Sequence, residues 1–330
     1  MMNNIIQEDV RRLAELPLWH RFKKKSILIT GATGLLGAYI TLAAVEANRV
    51  GAYGMKLYAL GRDEQKWEAL YQYGECTFLQ QDIRAPLTVD GDLHFIVHTA
   101  GPVGPRLFAE TPLEIISTNA EGILALIHAA RQRNCESFVF ASTHEVYGAA
   151  EGEKRETDMP VGVDLSNSRS CYILGKQACE NALVCASTEY GLHATSMRLA
   201  RLYGPLMNLD SGLFVCDFIK DICGKRPVRI HGGLNLIRPL CYVADAAEAA
   251  LRILADGVSG EAYNVQGDET PTIGEIAALL SGTVIADKPE TNDLPHSGHW
   301  LNTDKLKALG WRQTMPLADG LRRTVSYNTV

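Results

Sequence analysis

Thr30-Gly31-Ala32-Thr33-Gly34-Leu35-Leu36-Gly37 joins an apolar run, residues 26–30, to a helical stretch, residues 34–48. A strand, a glycine-rich turn and a helix in that order make an anion cradle. Gly31 permits the tight turn, Gly34 lets backbone approach a pyrophosphate, and Gly37 allows helix and strand to pack closely, while the positive end of the helix attracts negative charge. In a chain with 29 glycines a bare triplet means little. Its position after a strand and at the start of a helix points to a bound dinucleotide, against the alternative of an ordinary strand-to-helix turn. Gly31, Thr33, Gly34, Leu35, Leu36 and Gly37 are the expected contacts.

Outward from this loop the rhythm continues. Further apolar runs fall at residues 56–60, 77–79, 93–98 and 137–141, with helical spacing over 64–71 and 113–133. Short apolar runs alternating with amphipathic helices predict an α/β fold, a Rossmann-type doubly wound parallel sheet whose ligands sit at the carboxyl ends of its strands. After about residue 200, Gly204, Pro205, Gly212, Gly224, Pro227, Gly232, Gly233 and Pro239 break the pattern into loops and short strands. This predicts a smaller C-terminal substrate-binding domain. Three parts follow: an accessory helix in 1–24, a dinucleotide domain in 25–200 and a substrate domain in 201–330, with about 241–265 returning to the first core. In the accessory helix, Ile6, Val10, Leu13 and Leu16 line one face and Pro17 ends it, the pattern of a helix packed on a flank.

Composition bounds the rest. The 330 residues are 46% apolar and 21% charged, which excludes a disordered or fibrous chain, and 32 basic against 38 acidic residues give a formal charge of −6. That balance argues against nucleic acid or an anionic membrane as partner. No apolar stretch approaches the roughly 18 residues of a membrane span, and residues 1–10 lack the basic start of a secretory signal, so a cytoplasmic protein is expected. The eight cysteines contain no C-x-x-C pair, so reduced thiols and no metal site are expected.

Where such a fold places an acid on the adenosine ribose, the chain reads Leu60-Gly61-Arg62-Asp63. Glycine at the acid's position and the adjacent Arg62 favour NADP(H) slightly over NAD, with Asp63 keeping NAD open. Asp82-Ile83 after the third strand is a candidate adenine contact. Farther on, Tyr172-Ile173-Leu174-Gly175-Lys176 sets a phenol and an ammonium at i and i+4 on one helical face. A cation beside a phenol lowers its pKa, which suits Tyr172 to taking a hydroxyl proton while hydride leaves the same carbon.

Thr-Gly-x-x-Gly-x-x-Gly and Tyr-x-x-x-Lys, with Ser142-Thr143 between them, resemble the extended short-chain dehydrogenase/reductases, the NAD-dependent epimerase/dehydratase family. The resemblance runs from about residue 26 to about 280 and includes His98-Thr99-Ala100-Gly101, Asn119, Ala141 to Gly148, Arg198 to Pro205, Arg238 to Asp245 and Ala262 to Val265. It implies a nucleotide-diphosphate-sugar enzyme with tightly bound NAD(P), in which Thr143, Tyr172 and Lys176 oxidise the sugar at C4 and Ala100 and Asn119 line the cofactor. Thr143-His144-Glu145-Val146-Tyr147-Gly148 looks like the 4,6-dehydratases and UDP-glucuronate decarboxylases, so Glu145 is expected to act at C5 or C6. A 4-ketone acidifies H–C5 and turns a C6 carboxylate into a β-keto acid, which gives a second base something to do.

Two positions depart from the family pattern. His144 stands where the dehydratases carry an acid, and serves either as an imidazolium acid or as a structural histidine. Arg201 stands where the family has an asparagine against the sugar diphosphate, beside Arg238, which matches a diphosphate-gripping arginine. A 4-epimerase, an NADPH-consuming 4-keto reductase and a non-catalytic dinucleotide sensor are the competing readings. The resemblance also implies a homodimer formed through the helices at about 113–133 and 171–190, where Ala178, Ala182 and Ala186 give a small-residue stripe.

Overall fold

The computed structural model describes residues 3–71, 74–231, 233–280, 283–287 and 298–329. Its strands are β1 Ser26–Thr30, β2 Lys56–Gly61, β3 Thr77–Gln80, β4 Phe95–His98, β5 Ser137–Thr143, β6 Glu151–Lys154, β7 Ala194–Leu199, β8 Arg201–Tyr203, β9 Val228–His231, β10 Leu240–Tyr242, β11 Ala262–Val265, β12 Val284–Asp287 and β13 Gly298–Leu301. The helices are α1 Asn4–Ala14, α2 Leu35–Gly51, α3 Glu64–Leu70, α4 Pro105–Glu110, α5 Pro112–Gln132, α6 Ser170–Tyr190, α7 Phe214–Cys223, α8 Val243–Asp256, α9 Ile273–Leu280, α10 Asp304–Ala308 and α11 Leu317–Thr329.

β1, β4 and β5 are buried along their whole length, as strands covered on both faces must be. They form the middle of a seven-stranded parallel sheet in the order β3-β2-β1-β4-β5-β7-β11. This is the Rossmann-type doubly wound sheet, with α2 and α8 packed together on one face and α5 against α6 on the other. α8 is rich in alanine and buried on nearly every side, because α1 lies over both it and α2 as an additional outer layer.

The accessory helix is tied down by charge as well as apolar contact. Arg12 pairs with Asp245 at 3.1 Å and Glu248 at 2.6 Å on α8. Buried Asp9 accepts from the hydroxyls of Tyr39 on α2 and Tyr242 on β10, and Arg323 of α11 pairs with it at 3.0 Å.

Three two-stranded parallel pairings lie outside the main sheet: β8 with β10, β9 with β12 and β6 with β13. The first two build the region beyond the carboxyl end of β7, and the third carries residues from after position 297 back beside the end of β5.

Candidate active site

The loop after β1 has no room for side chains. Gly31 has φ +68°, and a Cβ there would stand 2.7 Å from the Ala100 nitrogen, while one on Gly37 would collide with the Gly31 carbonyl oxygen. Gly34 caps α2 without a side chain, so the first amides of the helix face outward as anion donors. The cradle therefore fits a dinucleotide pyrophosphate. Thr33, Leu35 and Leu36 continue it, and Ala100 closes it by donating its amide to Thr30 Oγ1 at 3.2 Å.

At the end of β2, Gly61 lies under Phe78, with Thr33 Oγ1 3.4 Å from where its Cβ would be. Arg62 is exposed, and Asp63 is engaged in capping α3, accepting from the Lys66 amide at 2.9 Å. Asp82 is held by Arg84 through both oxygens at 2.9 Å, which pulls its carboxyl down to about 2. Ile83 is buried against Gly122 of α5.

α6 brings Tyr172 and Lys176, one turn apart and both buried, under the end of β5. The Lys176 ammonium donates to the Ala141 carbonyl at 2.8 Å and sits 4.5 Å over the Phe140 ring, and burial brings it down to about 8. Close packing of α5 on α6 places Asn119 against Gly175, and Gly101 faces both Asn119 and Lys176. The Tyr172 ring stacks on Phe108 at 4.5 Å. Burial pushes its phenol well up, with the Glu145 charge adding to this, while the Thr143 hydroxyl hydrogen bond and the Arg169 and Arg201 charges pull it down. Thr143, the last residue of β5, accepts from the Glu145 amide at 3.3 Å, which fixes Glu145 one turn beyond the reactive pair.

The Glu145 carboxylate accepts from Arg169 at 2.8 Å. Arg169 lies at the head of α6 with its guanidinium 4.4 Å over Phe108. The β8–β10 register, Leu240 opposite Arg201, brings Arg238 to the same place. Burial pulls the pKa of both arginines down, Arg238 to about 10, with like charge adding to the effect and Glu145 opposing it. Three guanidinium groups thus surround one carboxylate beside the phenol.

At His144 the chain places a buried imidazole against a second one. It is buried, its Nδ1 is 3.0 Å from His299 Nε2, and burial together with the Arg201 charge holds it far below the usual imidazole range. Burial disfavours the imidazolium, so of the two roles open to it the packing against His299 supports the structural one. Among the described residues no group of three or more His, Cys, Asp or Glu could hold a metal ion, and no helix is long and apolar enough to cross a membrane.

Residues 27–265 match the model of the NAD dependent epimerase/dehydratase family. The chain belongs to that family. It is 26% identical over 313 residues to UDP-glucuronic acid decarboxylase 1 of Danio rerio, covering 92% of this chain and 72% of that one, and 26% identical over 326 residues to UDP-glucuronic acid decarboxylase 1 of Arabidopsis thaliana, covering 96% and 72%. Its fold matches a UDP-glucuronic acid 4-epimerase from Bacillus cereus, solved with UDP-glucuronic acid and NAD, with a TM-score of 0.78 at 21% identity over 92% of this chain and 98% of that one. It also matches a dTDP-glucose 4,6-dehydratase from Bacillus anthracis, solved with NAD, with a TM-score of 0.74 at 17% identity over 92% and 96%.

Two residues in this family member's site escaped the sequence reading. Arg169 is three residues before Tyr172, a spacing that puts both on one face of a helix, so the signal was present. His299 had no local signal, because it reaches His144 only through the pairing of β13 with β6.

Proposed function

We propose that this epimerase/dehydratase family member oxidises C4 of a nucleotide-diphosphate sugar and then carries out decarboxylation or dehydration at C5 and C6. The observation that carries this is a second carboxylate, Glu145, close enough to Tyr172 to raise its phenol and fixed to the end of β5 by Thr143. A dinucleotide bound in the α2 cradle supplies the hydride acceptor. Thr143 orients the 4-hydroxyl, Tyr172 takes its proton, and Lys176, anchored on Ala141, holds the cofactor ribose. Arg238 takes the sugar diphosphate. Glu145 moves the proton at C5 or assists the group leaving C6. The relatives named for decarboxylation, and the fold shared with a 4,6-dehydratase, support chemistry beyond C4.

The test is a pair of variants followed by mass spectrometry and ultraviolet spectra of the bound dinucleotide. Tyr172→Phe should abolish C4 oxidation, by about a hundred- to ten-thousand-fold. Glu145→Gln should accumulate a 4-keto species; normal turnover in that variant would reject the second-base role.

One observation favours a second reading, 4-epimerisation with Glu145 merely binding the sugar: the carboxylate is already paired with Arg169. Cofactor choice follows from β2, where Gly61, exposed Arg62 and the engaged Asp63 leave room for a 2′-phosphate, so NADP(H) is accepted alongside NAD. For the dimer, α5 and α6 offer exposed Leu113, Ile116, Leu124 and Val184, whereas Ala186 of the small-residue stripe is buried in the subunit's own core. Sedimentation at micromolar protein concentration tests this pairing, and a monomer there would reject it.

A further inference from the structure

Two guanidinium nitrogens beside the reactive phenol, Arg169 Nη1 and Arg201 Nη1, are buried and have no hydrogen-bond acceptor among the described residues. Leaving a buried charged donor unmet costs free energy, and holding two such groups together adds repulsion. Glu145 is the one carboxylate among three guanidinium groups and pairs with Arg169 at 2.8 Å, so the site keeps an excess of positive charge. The missing partner is therefore an anion whose oxygens fit planar forks.

Its position on the substrate follows from ring geometry. In a hexopyranose, C1, which carries the diphosphate, lies across the ring from C4. With C4 at Tyr172 and Thr143, cations beside the phenol face the substituents on the neighbouring carbons, whereas a cation set away from it faces the diphosphate. Arg169 has its guanidinium 5.9 Å from the Tyr172 ring centroid and, like Arg201, acts electrostatically on that phenol.

We propose that Arg169 and Arg201 form a carboxylate subsite for C6 of the sugar, separate from the diphosphate site, so that the substrate is a nucleotide-diphosphate hexuronic acid. This rests on the proposed placement of C4 at Tyr172. The subsite selects the acid by binding alone, whatever reaction follows.

The test is calorimetric titration of Tyr172→Phe protein, which binds without turning over, using UDP, UDP-glucose and UDP-glucuronate. UDP-glucuronate should bind at least about tenfold tighter than UDP-glucose. Adding Arg169→Gln or Arg201→Gln should bring the two sugars within about threefold while leaving UDP and UDP-glucose unchanged, which also shows that the variants fold. Arg201→Lys, which keeps the charge and loses the fork, should retain part of the preference. Equal binding of the two sugars by the parent, no binding of UDP-glucuronate, or an equal loss of UDP and UDP-glucuronate in the arginine variants would each overturn the subsite. Failure of the C4-oxidation reading looks different: the binding preference is present, but wild-type protein forms no oxidised sugar.

Discussion

The imidazoles of His144 and His299, 155 positions apart in the chain, meet at 3.0 Å, and the same His299 nitrogen lies 3.2 Å from the His144 carbonyl. This pair braces the segment carrying Thr143 and Glu145 against β13. Both rings are buried and held below the usual imidazole range, mainly by burial.

These two, with His98, whose ring burial brings down to about 3, make the fold sensitive to acid. A base with a lowered folded pKa stays neutral in the native state and takes up its proton on unfolding. Stability is therefore complete above the unfolded value near pH 6.5 and falls as pH drops below it. Each such group that stays neutral in the folded state adds up to about 1.4 kcal/mol per pH unit to that fall. Chemical denaturation between pH 7 and about 5 measures it, and His98→Asn should remove roughly a third of the slope.

Gly37→Ala should abolish dinucleotide binding. Its added methyl would collide with the Gly31 carbonyl and meet Thr99 Oγ1 at 2.7 Å, forcing the loop away from β4. Titration with NAD and NADP should show affinity down at least about a hundredfold; affinity within about threefold of wild type would mean the loop is not the cradle.

Arg62→Ala should separate the two cofactors. The exposed guanidinium beside Gly61 stands where a 2′-phosphate would be met, so NADP(H) affinity should fall about tenfold with NAD unchanged. An equal effect on both would place Arg62 elsewhere.

Arg12→Ala should loosen α1 without touching the chemistry. It leaves Asp245 and Glu248 without one partner each, but Thr314 and Arg252 still hold them, so the loss should be about 1–2 kcal/mol. Urea unfolding reads that loss, and turnover at 25 °C should be unchanged.

The sheet was legible because its strands are apolar blocks and its helices amphipathic. α5 and α6 match their expected limits to within a residue, and α2 runs three residues past its expected end. β7 was missed because it buries Thr195 and Ser196, whose polarity breaks the hydropathy pattern; Thr195 Oγ1 satisfies itself on the Phe138 carbonyl at 3.2 Å. β4 begins at Phe95 and not at Leu93, since the Leu93 amide turns to the Arg133 carbonyl. In the site, Tyr172 and Lys176 were readable from spacing, and Thr143 and Glu145 from the family resemblance. The lowered basicity of His144 was not, because it depends first on burial, then on the charge of Arg201, on His299 brought in by β13 and on the charge of Arg238.

The most direct measurement is mass spectrometry of the purified protein incubated, without added cofactor, with UDP-glucuronate, UDP-GlcNAc, dTDP-glucose and UDP-glucose separately. Oxidation at C4, C5 or C6 chemistry and return of the hydride to the sugar together predict loss of about 44 Da from the glucuronate, as CO₂, or about 18 Da from another sugar, as water. An unchanged mass with an inverted C4, or turnover only with stoichiometric added NADPH, would contradict it.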